Sequence, residues 1–343
     1  MKKYRFVMIG TGFWSRFQLA GWRELPNVEC VAVYNRTRSK AEALAEAFGV
    51  PRVYEDPAAM LDRERPDFAD ILTGEETHEV FTLMAARRGL PVVCQKPVAP
   101  DLAAARRMRD ACREAGVPLL INENWRWQRP LRALKAKMDS GIIGAPWRAR
   151  VVYNSSFPVF DNQPALKEQK RFLLMDVGVH LLDTVRFLFG EIETVFCRTH
   201  RVNAAIRGED AASLLLTMKN GMTVSLELSY ASRWSGECFP QTLCLVEGED
   251  ASLELLQDYR LRLTTRAGVE EHTHPPPAYE WLDPAYAVVH ASIVDCQRNL
   301  LLGMEDETKV ETRADDNLLT FEAVEAAYQS AASATPVPPA DFR

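Results

Sequence analysis

The sequence predicts an α/β protein in which a doubly wound parallel sheet is followed by a second α/β domain with an open, mainly antiparallel sheet. Two observations support this. Short apolar runs alternate with helical patterns over the first third of the chain, and an Asn-Gly pair separates two alternating apolar runs further on. At roughly 150 residues per domain, a chain of 343 residues accommodates two domains.

The first third contains five apolar runs of the length of buried strands. They are residues 4–9, 28–34, 68–72, 91–94 and 117–121. Two stretches between them, 40–48 and 102–115, are rich in Ala, Leu, Glu and Arg, and each is followed by a glycine that ends a helix. Strands joined by helices in this way lie parallel, which predicts a Rossmann domain over residues 1–122.

The pattern changes after residue 122. Asn220 and Gly221 both tolerate positive φ, so they predict a two-residue hairpin turn and an antiparallel sheet in this half. Further strands are predicted at 147–154, 191–199, 242–247, 252–256 and 261–265, and helices at 177–189, 285–302 and 316–330. We assign 123–330 to this second domain and 331–343, which is rich in proline, to a loose tail.

Composition excludes several classes of protein. With 41 basic and 47 acidic residues the net charge is -6, so no basic footprint indicates a nucleic acid or an anionic membrane as a partner. No apolar run approaches the ~18 residues that span a bilayer. The seven cysteines are odd in number and scattered, which is typical of reduced thiols. We expect a cytoplasmic protein that acts on a small molecule.

A glycine-rich turn follows the first strand directly and opens a helix, which is the context of a dinucleotide-binding fingerprint. Gly10 permits the tight turn, and Gly12 lets the backbone approach a pyrophosphate at the start of the helix. The third position of the fingerprint is Ser15 rather than Gly or Ala. A glycine turn in an enzyme with another cofactor is the alternative. The predicted contacts of this turn are Gly10, Thr11, Gly12, Phe13 and Trp14.

The second strand ends at Asn35, twenty-five residues after Gly10, where NAD-binding proteins carry an acidic residue that holds the ribose. The Asn35 amide is able to hydrogen-bond the ribose, and Arg36 or Arg38 is able to pair with a 2′-phosphate. The alternative is that both arginines are solvated. This position by itself therefore favours NADP or no preference between the two cofactors. Our prediction for the whole chain is NAD as the cofactor, with NADP as an alternative.

Two further motifs carry reactive side chains. Lys96-Pro97 follows the fourth predicted strand, at the sheet edge where such folds bind ligands. Asp176, His180 and Asp183 share one face if their segment is helical. The alternative is that His180 is an interface histidine and that Asp183 forms an ion pair on the helix surface. No further His or Cys lies at the spacing of metal ligands, so we predict no metal.

Together these motifs resemble the glucose-fructose oxidoreductase, inositol dehydrogenase and MocA family. The resemblance is carried by the glycine turn, by Thr77-His78, and by residues 95–97, 122–126 and 176–183, and it covers nearly the whole chain. It implies a Rossmann domain followed by an α/β domain, and oxidation of a sugar or polyol with NAD or NADP. Three segments, 12–18, 123–128 and 157–163, are most similar to members that use NAD to oxidise a branched pentose to its lactone.

The resemblance also implies site residues. Lys96 and His180 correspond to the catalytic pair, with Asp176 as the partner carboxylate, and Gln95 stands where the family usually has glutamate. Further predicted cofactor contacts are Asn35, Arg36, Thr73, His78, Gln95 and Lys96. Predicted substrate contacts are Lys96, Asn124, Arg126, Phe160, Asp176 and His180.

Elementary chemistry agrees with this assignment. Oxidation of an alcohol or hemiacetal carbon requires a base for the hydroxyl proton, and imidazole titrates near neutral pH. The sequence thus predicts an NAD(P)-dependent sugar dehydrogenase that oxidises an aldose or polyol. A non-catalytic NAD(P)-binding sensor and an NAD-dependent glycosidase on the same scaffold are the alternatives. A homo-oligomer, dimer or tetramer, is expected through the sheet of the second domain.

Overall fold

The computed structural model describes residues 2–343, which fall into two compact units. The first unit comprises the chain up to Asn124 together with Tyr279–Leu282 and Ile293–Leu318. The second comprises Trp125–Ala278, Asp283–Ser292 and Leu319–Arg343. Each unit is therefore built from segments that are distant in sequence.

The first unit contains a parallel six-stranded sheet. Its strands are β1 (Tyr4–Ile9), β2 (Val28–Tyr34), β3 (Val53–Tyr54), β4 (Phe68–Ile71), β5 (Val92–Gln95) and β6 (Leu119–Asn122). The order in the sheet is β3-β2-β1-β4-β5-β6, so the direction of winding reverses between β1 and β4. The predicted doubly wound Rossmann sheet is confirmed, and its ligand crevice is expected at the carboxyl ends of the strands on either side of this reversal.

The strands of this unit are joined by helices. They are α1 (Ser15–Arg23), α2 (Arg38–Phe48), α3 (Pro57–Glu64), α4 (Glu75–Ala86) and α5 (Leu102–Glu114). Helix α2 ends at Gly49, which adopts φ +62 as the predicted helix stop requires. Strand β3 was not predicted, because a strand of two residues carries no apolar period.

A C-terminal segment completes the first unit. The backbone N–H of Ile121 donates to the Thr312 carbonyl at 2.7 Å, and the Thr312 hydroxyl donates to the Ile121 carbonyl at 2.8 Å. The edge of β6 is therefore paired. A Cβ on Gly21 would lie 2.7 Å from a methyl carbon of Ile293, so α1 has close contact with this returning segment.

The second unit is built on an eight-stranded mixed sheet. Its strands are β7 (Pro146–Asn154), β8 (Ile192–His200), β9 (Ala211–Met218), β10 (Thr223–Ser229), β11 (Leu243–Gly248), β12 (Ala251–Leu256), β13 (Arg260–Thr265) and β14 (Gly268–Thr273). The order is β14-β13-β12-β11-β7-β10-β9-β8. Only the β7–β10 pair is parallel among these strands, so the predicted mainly antiparallel sheet is confirmed.

Further α-helices follow β6 in the chain, and the last two have residues in both units. They are α6 (Arg129–Asp139), α7 (Val159–Asn162), α8 (Val179–Phe189), α9 (Ala287–Gly303) and α10 (Ala314–Ser333). Residues 331–343, predicted as a loose tail, are attached: Val337 and Val195 exchange two backbone hydrogen bonds of 2.8 and 2.9 Å. The side chain of Val337 is buried, so apolar contact also holds this short segment in place.

Within residues 2–343, no helix combines the length and the apolar character needed to cross a membrane.

Candidate active site

The glycine turn between β1 and α1 has the backbone geometry of a dinucleotide site. Gly10 adopts φ +104, and a Cβ there would lie 2.7 Å from the Leu72 carbonyl carbon, so this position requires glycine. A Cβ on Gly12 would meet no atom within 4 Å in the described part of the chain. The Thr11 hydroxyl is buried and has no hydrogen-bond partner among residues 2–343. Open space and an unsatisfied hydroxyl beside a helix start fit a pyrophosphate.

Asn35 connects the end of β2 to this turn. Its side-chain oxygen accepts the backbone N–H of Thr11 at 3.2 Å, and its side-chain nitrogen donates to the Thr37 carbonyl at 3.1 Å. The amide therefore holds the glycine turn in place, in addition to the ribose contact predicted for it. An acidic residue at this position would offer the same acceptor to Thr11.

The two arginines after Asn35 differ in their surroundings. Arg38 is held by Glu42 at 2.7 Å and by Glu55 at 3.1 Å, which keeps its pKa above the usual value. Arg36 is exposed and makes no ion pair within residues 2–343. Of these two arginines, Arg36 is thus the one without a compensating carboxylate among residues 2–343, near the position expected for the adenosine ribose.

An aromatic cluster lies directly beside the glycine turn. Phe13 is 37% exposed, and its ring contacts Phe17 edge-on, with a centroid distance of 5.5 Å. Trp14 precedes α1 and contacts the same ring at 5.6 Å. Phe13 and Trp14, both predicted as cofactor contacts, therefore present an apolar surface at the start of α1.

His78 joins two loops at the carboxyl edge of the parallel sheet. Its Nε2 lies 2.9 Å from the Thr73 carbonyl oxygen and its Nδ1 lies 3.1 Å from the Val98 carbonyl oxygen. The side chain is almost completely buried, and this burial lowers the pKa of the imidazole. Both ring nitrogens thus face the backbone, so His78 links the loop after β4 to the loop that carries Lys96.

Lys96 directly follows β5. Its backbone N–H donates to the side-chain oxygen of Gln95 at 2.9 Å, and the Lys96-Pro97 peptide is cis. Gln95 is paired in the sheet with Asn122 of β6. The side-chain amide of Gln95 therefore holds the backbone of the lysine that follows it.

His180 lies near the beginning of α8 in the second unit. Its imidazole is stacked on the indole of Trp125, with a centroid distance of 4.5 Å and an interplanar angle of 22°. Both side chains are only 5% exposed. Trp125, which belongs to the 122–126 motif, thus lies directly against the predicted catalytic imidazole.

The helical segment before His180 differs from the prediction. Leu174–Gly178 forms a π-helical turn, so Asp176 does not share a regular α-helical face with His180 and Asp183. Glu209 accepts the backbone N–H of Leu174 at 3.0 Å and the Tyr328 hydroxyl proton at 2.6 Å, which anchors the start of this turn. Wide turns of this kind are frequent at functional sites, and the local sequence period does not reveal them.

Asp183 is fully buried, which excludes the surface pairing considered for it. Its carboxylate accepts two hydrogen bonds from the guanidinium of Arg126, one of them 2.7 Å long from Nε. Thr320 also donates to it at 3.2 Å. Arg126, a predicted substrate contact, therefore has a structural bond to α8.

The second unit also contains a cluster of aromatic side chains, of which Phe239 and Tyr286 were not predicted as site residues. Phe157 and Phe239 stack at 3.8 Å, and Tyr286 contacts both rings edge-on. Phe160, a predicted substrate contact, packs on Phe172 at 5.3 Å. Burial, together with the negative charge of Asp176, raises the pKa of Tyr153. These residues come from distant loops and strands, so no sequence period links them.

The predicted site residues divide between the units. The first unit holds the glycine turn, Asn35, Arg36, Thr73, His78, Gln95, Lys96 and Asn124, whereas the second holds Arg126, Phe160, Asp176 and His180.

The sheet is doubly wound, and in its first turn Gly12 has free space beside it while Gly10 packs against the backbone of Leu72. These features define a dinucleotide-binding protein. The model of an oxidoreductase family with an NAD-binding Rossmann fold matches residues 4–123, and that of the GFO/IDH/MocA C-terminal domain matches residues 131–254. The chain belongs to the GFO/IDH/MocA oxidoreductase family. The predictions of an NAD-dependent oxidoreductase and of its cofactor are thereby confirmed.

Full-length relatives support the assignment. The chain is 42% identical to the D-apiose dehydrogenase of Paraburkholderia graminis, over 96% of this chain and 88% of that protein. It is 36% identical to the D-apiose dehydrogenase of Rhizobium rhizogenes, over 97% and 96%. An oxidoreductase from Agrobacterium radiobacter, crystallised with NAD+, L-tartaric acid and magnesium, is 35% identical over 100% of both chains, with a TM-score of 0.97.

Proposed function

We propose that the protein is an NAD-dependent sugar dehydrogenase that oxidises D-apiose to its lactone. The observation that carries this proposal is the similarity to two D-apiose dehydrogenases, which extends over nearly the whole chain at 42% and 36% identity. A relationship of this extent includes the second unit, from which substrate contacts are predicted. The substrate is therefore a small carbohydrate rather than a nucleic acid or a membrane component.

Oxidation of the hemiacetal removes a hydride from carbon and a proton from the hydroxyl oxygen, and leaves a carbonyl. When bound, NAD supplies the nicotinamide ring that accepts the hydride. Neutral His180 takes the hydroxyl proton, and Asp176 orients it. Lys96 donates a hydrogen bond to a substrate oxygen on which negative charge develops. The products are the lactone, NADH and one proton.

Several features favour a sugar as the substrate. Aromatic rings such as Phe157, Phe239 and Tyr286 are suited to the C–H faces of a sugar ring, and buried carboxylates and amides are suited to its hydroxyls. We assign substrate binding to Lys96, Asn124, Arg126, Phe160, Asp176 and His180, and cofactor binding to the glycine turn with Asn35, Arg36, Thr73, His78, Gln95 and Lys96.

The test is a comparison of D-apiose, xylose, glucose and myo-inositol with purified protein and either NAD or NADP, following absorbance at 340 nm. We expect the highest kcat/KM with D-apiose and NAD. NADH binding without turnover of any sugar would instead favour a sensor. Cleavage of a glycoside without net NADH would favour an NAD-dependent glycosidase.

The assigned proton-handling pair has its own test. Lys96→Met and His180→Asn are expected to lower kcat at least about 100-fold, while NADH binding stays within a few-fold. Lys40→Met and His272→Asn are matched controls at exposed positions. The oxidative rate should rise with pH through the imidazole titration, so retained activity in both variants or a flat profile would contradict the assignment.

We also propose a cytoplasmic homo-oligomer. All seven cysteines are free thiols, which suits a reducing compartment. On the sheet of the second unit, Leu215 is 51% exposed and pairs across the strands with Phe196. Leu215→Glu should lower the mass measured by light scattering if this face joins subunits, and an unchanged mass would exclude it.

A further inference from the structure

A tryptophan lies flat against the imidazole of His180 inside the second unit. The two ring centroids are 4.5 Å apart, the planes differ by 22°, and both side chains are 5% exposed. We propose that Trp125 is a positioning residue that holds the His180 imidazole in the orientation required for proton transfer. This inference rests on the proposed role of His180 as the base.

Trp125 is itself held from two further sides. Its indole N–H donates to the Thr242 hydroxyl at 3.1 Å, and its ring meets Tyr153 edge-on at 5.8 Å. Thr242 and Tyr153 are both buried, on or beside the central strands of the sheet. The indole is therefore fixed by the sheet, and the imidazole packs against a surface that does not move with it.

The short turn Trp125–Trp127 is attached to α8 at two consecutive residues. Trp125 stacks on His180, and the next residue, Arg126, binds Asp183 through two hydrogen bonds. His180 and Asp183 are three residues apart and so lie on the same face of α8. Two attachments prevent the turn from sliding along the helix, which keeps the indole over the imidazole.

This arrangement has a chemical consequence. An imidazole that is free to rotate about its χ2 angle presents its accepting nitrogen in the productive direction only part of the time, and misplacement by about 1 Å costs up to about 100-fold in rate. In addition, an aromatic face attracts imidazolium more strongly than neutral imidazole. The stack thus becomes more favourable as His180 takes up the proton, so it favours the transition state over bound substrate.

The matched pair Trp125→Leu and Trp127→Leu tests the proposal. Both substitutions remove an indole from the same turn, but Trp127 stacks on Arg132 at 3.5 Å instead of on His180. Trp125→Leu should lower kcat about 10- to 100-fold with the KM for sugar and the NADH affinity within about twofold, and Trp127→Leu should keep kcat near wild type. Trp125→Phe, which retains a stacking ring, should restore most of kcat.

A spectroscopic readout does not depend on turnover. The chain has six histidines, and the ring signals of His180 are identified by their loss in His180→Asn. The ring current of Trp125 shifts these signals upfield, so they should move downfield in Trp125→Leu and stay in place in Trp127→Leu. Equal kcat losses in both leucine variants, or no rescue by phenylalanine, would overturn the positioning role. Full activity of His180→Asn would overturn the proposed base. The shift of the His180 signals in Trp125→Leu would still show that the two rings are stacked.

Discussion

The guanidinium of Arg126 binds the carboxylate of Asp183 through two hydrogen bonds in the interior of the second unit, where the two side chains are 6% and 0% exposed. A buried ion pair of this geometry stabilises the fold little more than an apolar pair of the same shape would. Loss of one partner, however, leaves an uncompensated buried charge.

We therefore predict that Arg126→Met and Asp183→Leu each lower the free energy of unfolding by about 3–5 kcal/mol. The double variant should recover most of this loss, which urea denaturation of all four proteins measures. Additive losses in the double variant would show that the two residues are not coupled.

A second prediction concerns Asp70 in β4. Its side chain is fully buried and accepts the Trp22 indole N–H at 2.7 Å. Desolvation by burial raises the pKa of Asp70 to about 7, above the value of the unfolded chain. The protonated form is favoured in the fold, so stability should fall as pH rises from about 4 to about 7 and level off above that.

Asp70→Asn should remove this slope and stabilise the protein above pH 7 by up to about 4 kcal/mol, since three pKa units correspond to that difference. Urea midpoints measured across this pH range provide the check, with the exposed Asp62→Asn as the control. A slope that persists in Asp70→Asn would assign it to another group.

A third prediction separates two glycines of one turn. A Cβ at Gly10 would contact the backbone of Leu72, and the φ of +104 disfavours any other residue, so Gly10→Ala should lower the melting temperature. Gly12→Ala has space for its methyl group and should melt like the wild type, yet bind NADH at least about tenfold more weakly. Fluorescence titration with NADH measures the affinity, and unchanged affinity in Gly12→Ala would remove this turn from the cofactor site.

A fourth prediction concerns the choice between NAD and NADP. Arg38 is already neutralised by Glu42 and Glu55, whereas Arg36 is exposed and has no such partner within the described residues. Arg36→Ala should lower kcat/KM for NADP about tenfold and leave that for NAD nearly unchanged. Arg38→Ala should have the smaller effect on NADP, and the reverse ranking would assign the 2′-phosphate to Arg38.

Local patterns made much of the first unit predictable. The bounds of β1 and β2 match the predicted 4–9 and 28–34, because a parallel strand in a covered sheet is a mostly apolar run that ends at polar or glycine residues. The glycine turn follows from the same local rule. In contrast, β14 is fully exposed and carries two glutamates, so its pairing with β13 left no apolar signal.

The sequence by itself determined the two sheet types and the glycine turn, and it predicted Lys96 and His180 as the reactive side chains, because each depends on residues adjacent in the chain or repeated at a short period. Only the tertiary structure decided that Trp125 covers His180, that Asp183 is buried against Arg126, and that Asp176 lies in a π-helical turn. Arg126 and Asp183 are 57 residues apart in the sequence. Packing selects such distant partners by their shape and charge, and a local sequence pattern contains no information about this choice.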